Sequence, residues 1–180
     1  MMTAAGAARP LERVACLASL ASLASLAGAG CGPMVVGGSG REQIMRFNHM
    51  ELTFPVGTLT PEFREEIDSF YGSVFGWSAL DTDVVGQSCH LLMADPDQFL
   101  LLAESDKPMA SPGYDHLGLL QDTREEVDGL LEACERYAEK DDRVKIKRYE
   151  DLVYPGVTVH AFYVKYLLPI YFDVQSMERR

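Results

Sequence analysis

Residues 48–54 (NHMELTF) decide the fold, because apolar and polar side chains alternate along them without interruption. The apolar members are Met50, Leu52 and Phe54, and the polar members are His49, Glu51 and Thr53. A period of two residues predicts a β-strand with one buried and one open face, here over residues 46–54. A histidine therefore begins the open face of the first strand.

A helix and three strands are predicted to follow this strand. Thr60 and Pro61 form a favourable helix start, and Gly76 is a natural helix end. Between them, apolar side chains recur at helical spacing: Phe63, Ile67, Phe70, Tyr71 and Val74. Further strands are predicted over residues 78–83, 88–94 and 99–104.

The same order of elements returns after residue 113. A strand is predicted over residues 114–120, and Asp122 with Glu125 has the spacing of a helix capping box. The second helix has a buried stripe of Val127, Leu130, Leu131, Cys134 and Ala138. The last three strands are predicted over residues 144–149, 158–164 and 169–175.

Equivalent positions in the two halves suggest a duplicated unit. The predicted pairs are His49 with His116, His90 with His160, and Leu102 with Asp173. One helix covers one face of a four-stranded sheet, so the other face must meet the partner half or enclose a cavity. The sequence therefore predicts an α+β domain of two βαβββ modules, forming a half-open mixed β-sheet barrel with the helices outside and a cleft within.

Composition excludes several classes of function. The formal net charge of −11 leaves no basic surface for a phosphate backbone, so nucleic acid is not an expected partner. The four cysteines form no CxxC pair, which argues against a disulfide framework or a structural zinc site. The chain contains neither a GxSxG nor an HExxH motif, so hydrolase chemistry has little support.

Residues 1–44 differ from the predicted domain at 45–180. They contain repeated Ala-Ser-Leu triplets, which suit an export signal, with Cys31 in the place of a lipoprotein cysteine, or an over-extended reading frame that precedes a true start at Met45. A functional N-terminal element is the third reading. The stretch is a poor membrane span. A start at Met45 implies a cytoplasmic protein, whereas a genuine signal implies an exported protein or a lipoprotein.

Several short motifs resemble the vicinal oxygen chelate superfamily, which includes glyoxalase I, bleomycin-resistance proteins and extradiol dioxygenases. They are the histidine-bearing strands at residues 48–52 and 115–119, Phe70-Tyr71 followed by Phe75-Gly76-Trp77, and the last strand at residues 169–175. Together they span nearly all of the predicted domain.

The resemblance implies a divalent metal ion in the cleft, namely iron(II), manganese, zinc or nickel. By position its ligands are His49, His116 and Asp173. The fourth position falls on Leu102, and Glu104, two residues further along, is a substitute carboxylate. Two imidazoles and one carboxylate leave coordination positions open for substrate and dioxygen.

Four further residues are candidates for substrate binding or acid–base chemistry. His90 and His160 are equivalent between the halves and titrate near neutrality, while Glu51 and Tyr171 lie on predicted cleft faces. The resemblance implies a metal-dependent lyase, isomerase or dioxygenase that acts on a small oxygenated molecule. The alternatives are a metal-free binding protein of the bleomycin-resistance type and a module with a vestigial cleft. Relatives often dimerise, so a homodimer is also implied.

Overall fold

A computed structural model of the chain describes residues 46–180, and the predictions made for residues 1–44 and for a start at Met45 lie outside that range. The first half comprises β1 (His49–Pro55), α1 (Pro61–Phe75), β2 (Ser78–Val84), β3 (Gln87–Asp95) and β4 (Gln98–Ser105). The second comprises β5 (His116–Gln121), α2 (Arg124–Ala138), β6 (Lys145–Arg148), β7 (Leu152–Tyr154), β8 (Val157–Lys165) and β9 (Tyr171–Arg179). The predicted α+β order of two βαβββ units is confirmed.

Each half forms its own mixed sheet. The strand orders are β1-β4-β3-β2 and β5-β9-β8-β6, with β7 added against β8. In both sheets the first strand runs parallel to the last one, which returns beside it. Residues 47–82 and 88–180 form one compact unit, and the short segment at 83–87 contains two consecutive positive φ angles, at Val85 and Gly86.

The helices begin where local side chains satisfy their first backbone N–H groups. At α1 the Thr60 hydroxyl accepts from the Phe63 N–H, and Gly76 ends the helix with φ 70°. At α2 the predicted cap is wrong by one residue. Thr123 rather than Asp122 is the N-cap, because Glu126 completes the capping box with it.

The two halves share one aromatic core on their helix-covered sides. Phe172 of β9 lies 5.6 Å, centroid to centroid, from both Tyr71 and Trp77 of the first half. The Tyr71 hydroxyl donates a hydrogen bond to the Tyr166 carbonyl oxygen over 2.9 Å. Cys89 and Cys134 are both buried. Neither helix in residues 46–180 is long and apolar enough to cross a membrane.

Candidate functional site

The sheet faces that carry His49 and His116 point away from the helices, and we call them the inner faces. In the second sheet the register places Asp173 between Gly118 of β5 and Tyr163 of β8. Alternate residues of β9 confirm the predicted parity, since Phe172 and Val174 are fully buried while Asp173 faces the other way. The inner face of the second sheet includes His116, Gly118, Lys147, Tyr163, Tyr171, Asp173 and Gln175.

His116 and Asp173 come together on this face. The distance from His116 Nε2 to Asp173 Oδ2 is 3.9 Å. His116 Nδ1–H donates to the Tyr114 carbonyl oxygen over 2.8 Å, so Nε2 of the neutral ring is the acceptor nitrogen, and the Tyr163 hydroxyl lies 3.5 Å from it. A backbone carbonyl bound to one ring nitrogen is the usual arrangement for a histidine whose other nitrogen binds a metal.

The Asp173 carboxylate is mostly buried, with 13% of its side chain exposed. Burial raises its pKa, and His116 opposes that shift in part. Oδ1 is buried without a hydrogen-bond partner. Leaving a carboxylate oxygen buried and unpaired is costly, so this atom fits a ligand that supplies positive charge or a donor.

His49 stands at the equivalent point of the first sheet but in different surroundings. Its Nδ1–H donates to Asn48 Oδ1 over 2.8 Å, and the Asn48 amide is itself oriented by donation to the Asp97 carbonyl oxygen. The ring stacks on Phe99 with 5.0 Å between centroids. It borders an apolar cavity of about 380 Å³, which Trp77 and residues 117–119 also line. Nε2 of His49 is thus also left as the acceptor nitrogen.

The predicted metal set is not assembled within one chain. Among residues 46–180, no three His, Cys, Asp or Glu side chains are grouped closely enough to hold a metal ion, so His49 does not join His116 and Asp173. The predicted equivalence of Leu102 with Asp173 is wrong by one residue. Asp173 pairs with Gly118, and the matching pair in the first sheet is Leu101 with Glu51. Leu102 faces α1 and is fully buried.

Glu104 is wrongly placed as a substitute ligand, because it shares the helix-side face with Leu102. Its Oε1 accepts a hydrogen bond from the Leu59 N–H over 2.7 Å. The backbone N–H groups of Gly57 and Leu59 lower the pKa of this carboxyl. Glu104 thus fixes the loop that leads into α1.

His90 does not face the cleft as predicted, and it lies 97% buried on the helix side. Its Nε2 bonds Asp68 of α1 over 2.7 Å, and its Nδ1 bonds Asp81 of β2 over 2.8 Å. Arg64 closes the group by an ion pair of 2.7 Å with Asp81. Both ring nitrogens are occupied, so His90 connects α1 to its sheet.

His160 repeats this arrangement in the second half, and its predicted cleft position is also wrong. Its Nε2 bonds Asp128 of α2 over 2.9 Å, and its Nδ1 bonds Asp151 over 2.8 Å. Arg124 pairs with Asp151 over 2.6 Å, and together with His160 it lowers the pKa of Asp151 to about 2. We call these two groups the clamp clusters: Arg64, Asp68, Asp81 and His90 in the first half, and Arg124, Asp128, Asp151 and His160 in the second.

The sequence interpretation missed most of the tyrosine wall around His116, which consists of Tyr149, Tyr163 and Tyr171. Tyr163 lies with its hydroxyl 3.5 Å from His116 Nε2. Tyr149 and Tyr171 flank Tyr163, with ring centroids 4.9 and 6.3 Å away. Tyr171 is the one tyrosine of this wall that the sequence analysis named as a candidate. Glu51, another candidate, lies exposed on the inner face of the first sheet. Lys147, opposite Tyr163 in β6, was not predicted, because a four-residue strand is too short for its pattern to assign the inner face.

The fold defines a class of protein, namely paired βαβββ modules with open inner faces. No protein-family model matches the chain, and no curated protein matches it significantly. Solved structures, by contrast, do match the chain. A glyoxalase-family protein from Bacillus anthracis matches with a TM-score of 0.52 and 15% identity over 77% of this chain and 99% of that one.

A second match is the genomically encoded fosfomycin resistance protein FosX from Listeria monocytogenes. It has a TM-score of 0.52 and 14% identity over 73% of this chain and 90% of that one. At these identities the likeness concerns the fold. The chain therefore has the fold of the vicinal oxygen chelate superfamily, as its motifs indicate.

Proposed function

We propose that this protein is a metal-dependent enzyme of the vicinal oxygen chelate type that acts on a small oxygenated substrate, with lyase-like or dioxygenase-like chemistry. The observation that carries the proposal is the approach of His116 Nε2 to Asp173 Oδ2, 3.9 Å apart, beside an Asp173 Oδ1 that is buried and unbonded. One imidazole and one carboxylate suit iron(II), manganese, zinc or nickel, and the orphaned oxygen fits such an ion.

We further propose that two copies of the chain complete the site. His49 has the same tautomer as His116, fixed by Asn48, yet it is not grouped with Asp173 in its own chain. In a homodimer, His49 of the partner subunit would supply the third ligand. The exposed inner faces leave room for this arrangement, since both histidines are exposed.

A divalent ion at this site would polarise two adjacent substrate oxygens as a Lewis acid. The chain's own contribution is a proton donor beside it. Burial and the Asp173 charge raise the pKa of Tyr163, so its hydroxyl keeps its proton at neutral pH. A protonated phenol next to His116 is suited to stabilise negative charge that develops on a substrate oxygen.

Metal analysis of the full chain, purified without chelators, tests the proposal. We expect about one ion per chain, and at least about 100-fold weaker binding for His116→Ala and for Asp173→Asn. Glu104→Gln is the matched control, because it removes a carboxylate from the opposite sheet face and should leave the metal content unchanged. Protein that carries no metal, or variants that retain it, would reject the metal site.

Co-expression of two variants tests whether the site spans two chains. His49→Ala and Asp173→Asn should each lack metal alone. A mixed dimer contains one site with both defects and one site with none, so the co-expressed protein should regain metal. No recovery, with His49→Ala still metal-free, would place the whole site within one chain.

A metal-free binding protein of the bleomycin-resistance type is the second candidate. It is favoured by the tyrosine wall around His116, which offers flat aromatic surface without requiring an ion. Under this hypothesis, chelator treatment leaves ligand affinity unchanged. The metal-dependent hypothesis predicts instead that chelation weakens ligand binding, so one titration with and without chelator separates the two.

A further inference from the structure

Three lysines share the inner face of the second sheet with His116 and Asp173. Lys145 and Lys147 alternate along β6, and Lys145 lies opposite Lys165 of β8. In a chain with a net charge of −11, none of the three forms an ion pair with a carboxylate of the described residues. Positive charge that forms no ion pair on a binding face indicates an anionic ligand.

Lys147 is the lysine best placed to meet such a ligand. Its Nζ lies 3.9 Å from the ring centroid of Tyr114 and 4.8 Å from that of Tyr149, so the ammonium is held by two aromatic faces. By contrast, Lys145 donates to the Asp142 carbonyl oxygen, and Lys165 donates to the Pro169 carbonyl oxygen. Lys147 is thus held by tyrosine side chains alone, and it forms no ion pair with a carboxylate of the described residues.

Aromatic side chains connect Lys147 to the proposed metal half-site, which is the pair of His116 and Asp173 in one chain. Lys147 pairs with Tyr163 across β6 and β8, and Tyr163 lies 4.8 Å from the His116 ring, centroid to centroid. Beside this path is a small cavity of about 70 Å³, lined by Tyr149, Tyr163 and Asp173 among others. A ligand on this path has one end at an ammonium, its body on tyrosine rings and its other end at His116 and Asp173.

We infer that the substrate is a small aromatic anion. Its charged group pairs with Lys147, its ring stacks on the tyrosine wall, and an oxygen substituent outside the charged group reaches His116 and Asp173. This inference rests on the proposed function for the location of the site and names the substrate class. The anion supplies the missing counter-charge, and the ring matches the tyrosine faces.

Two probes of nearly the same shape, one anionic and one neutral, test the inference. They are 2-hydroxybenzoate and its neutral amide, 2-hydroxybenzamide, titrated calorimetrically into the full chain with and without added metal. We expect the anion to bind about tenfold more tightly than the amide, because a charge-assisted hydrogen bond contributes on the order of 1.5 kcal/mol or more. Lys147→Met should remove that preference, and Lys147→Arg should restore most of it.

Lys145→Met is the matched control, since it removes the same charge from the same strand and face. It should keep the preference for the anion. Equal affinity for both probes in the wild-type protein, no binding of either at millimolar concentration, or equal effects of the two methionine variants would overturn the inference. Metal content is read separately. If Lys147→Met protein still contains metal but no longer prefers the anion, the inference is supported. If the wild-type protein prefers the anion but contains no metal, only the metal proposal is rejected.

Discussion

The two halves of the molecule agree on their helix-covered sides and differ on their inner faces. On the helix side each half places a histidine between two aspartates, His90 between Asp68 and Asp81 and its counterpart between Asp128 and Asp151. The helical residues even keep their spacing, because an arginine stands four positions before each helical aspartate. The clamp clusters are therefore duplicated nearly residue for residue.

The inner faces have diverged around equivalent histidines. Where the second half has Asp173 opposite Gly118, the first half has Leu101 opposite Glu51. His49 stacks on Phe99, whereas His116 lies beside a carboxylate. The difference teaches where the two halves are alike: both fix a helix to a sheet through the same cluster, while among residues 46–180 only the second half has a carboxylate within 4 Å of its inner-face histidine.

The largest predicted effect concerns the core that both halves share. Phe172→Ala should lower the free energy of unfolding by about 3–5 kcal/mol, because Phe172 is fully buried and contacts Tyr71 and Trp77 of the other half. Tyr171→Ala is the matched control. It removes a neighbouring ring from the inner face and should cost about 1 kcal/mol. Similar losses in chemical denaturation would show that the inner face is as tightly packed as the core.

The clamp clusters should be unequal in strength despite their similarity. His90→Ala should cost about 2–3 kcal/mol, because a nearly fully buried ring loses hydrogen bonds to two carboxylates. His160→Ala should cost about 1–2 kcal/mol, since 18% of that side chain is exposed and water compensates in part. Denaturant midpoints measure both. An equal loss, or a larger one at His160, would contradict the ranking by burial.

The features predicted from sequence are those set by strong periodicity. Alternation along β1 and β9 correctly assigned the inner faces, and Thr60 with Pro61 located the start of α1. The site depended on finer information. An error of one residue in the register assigned the fourth-strand position to Leu102 instead of Leu101. Because successive residues of a strand face opposite sides of the sheet, this error placed the position on the wrong face.

Other errors arose because the determining contacts are distant in sequence. His90 and His160 alternate as inner-face residues would, and only Asp68 and Asp128 on the helices reveal their orientation. The β7 strand was not predicted, because three residues before a turn at Gly156 carry too little pattern. Lys147 is held over the rings of Tyr114 and Tyr149, which belong to other segments, so its surroundings could not be predicted from β6 alone.

The smallest predicted effect is a pH dependence of the clamp cluster in the second half. Burial lowers the pKa of His160, but its hydrogen bonds to Asp151 and Asp128 outweigh burial and the nearby Arg124, so the net shift is upward. An imidazolium donates to both carboxylates, whereas a neutral ring donates to one. A raised folded-state pKa stabilises the protein fully below the unfolded value of 6.5, and the contribution is lost as the pH rises through the folded value.

The stability difference between the wild type and His160→Gln should therefore be largest below pH 6.5 and should shrink in mildly alkaline solution. It should remain smaller than the total loss in His160→Ala, because deprotonation removes one hydrogen bond and leaves the packing intact. Urea midpoints measured across this range for both proteins give the difference, and every other titrating group is common to the pair. A difference that grows with pH would mean that burial and Arg124 prevail at this clamp, and that His160 is held as the neutral ring.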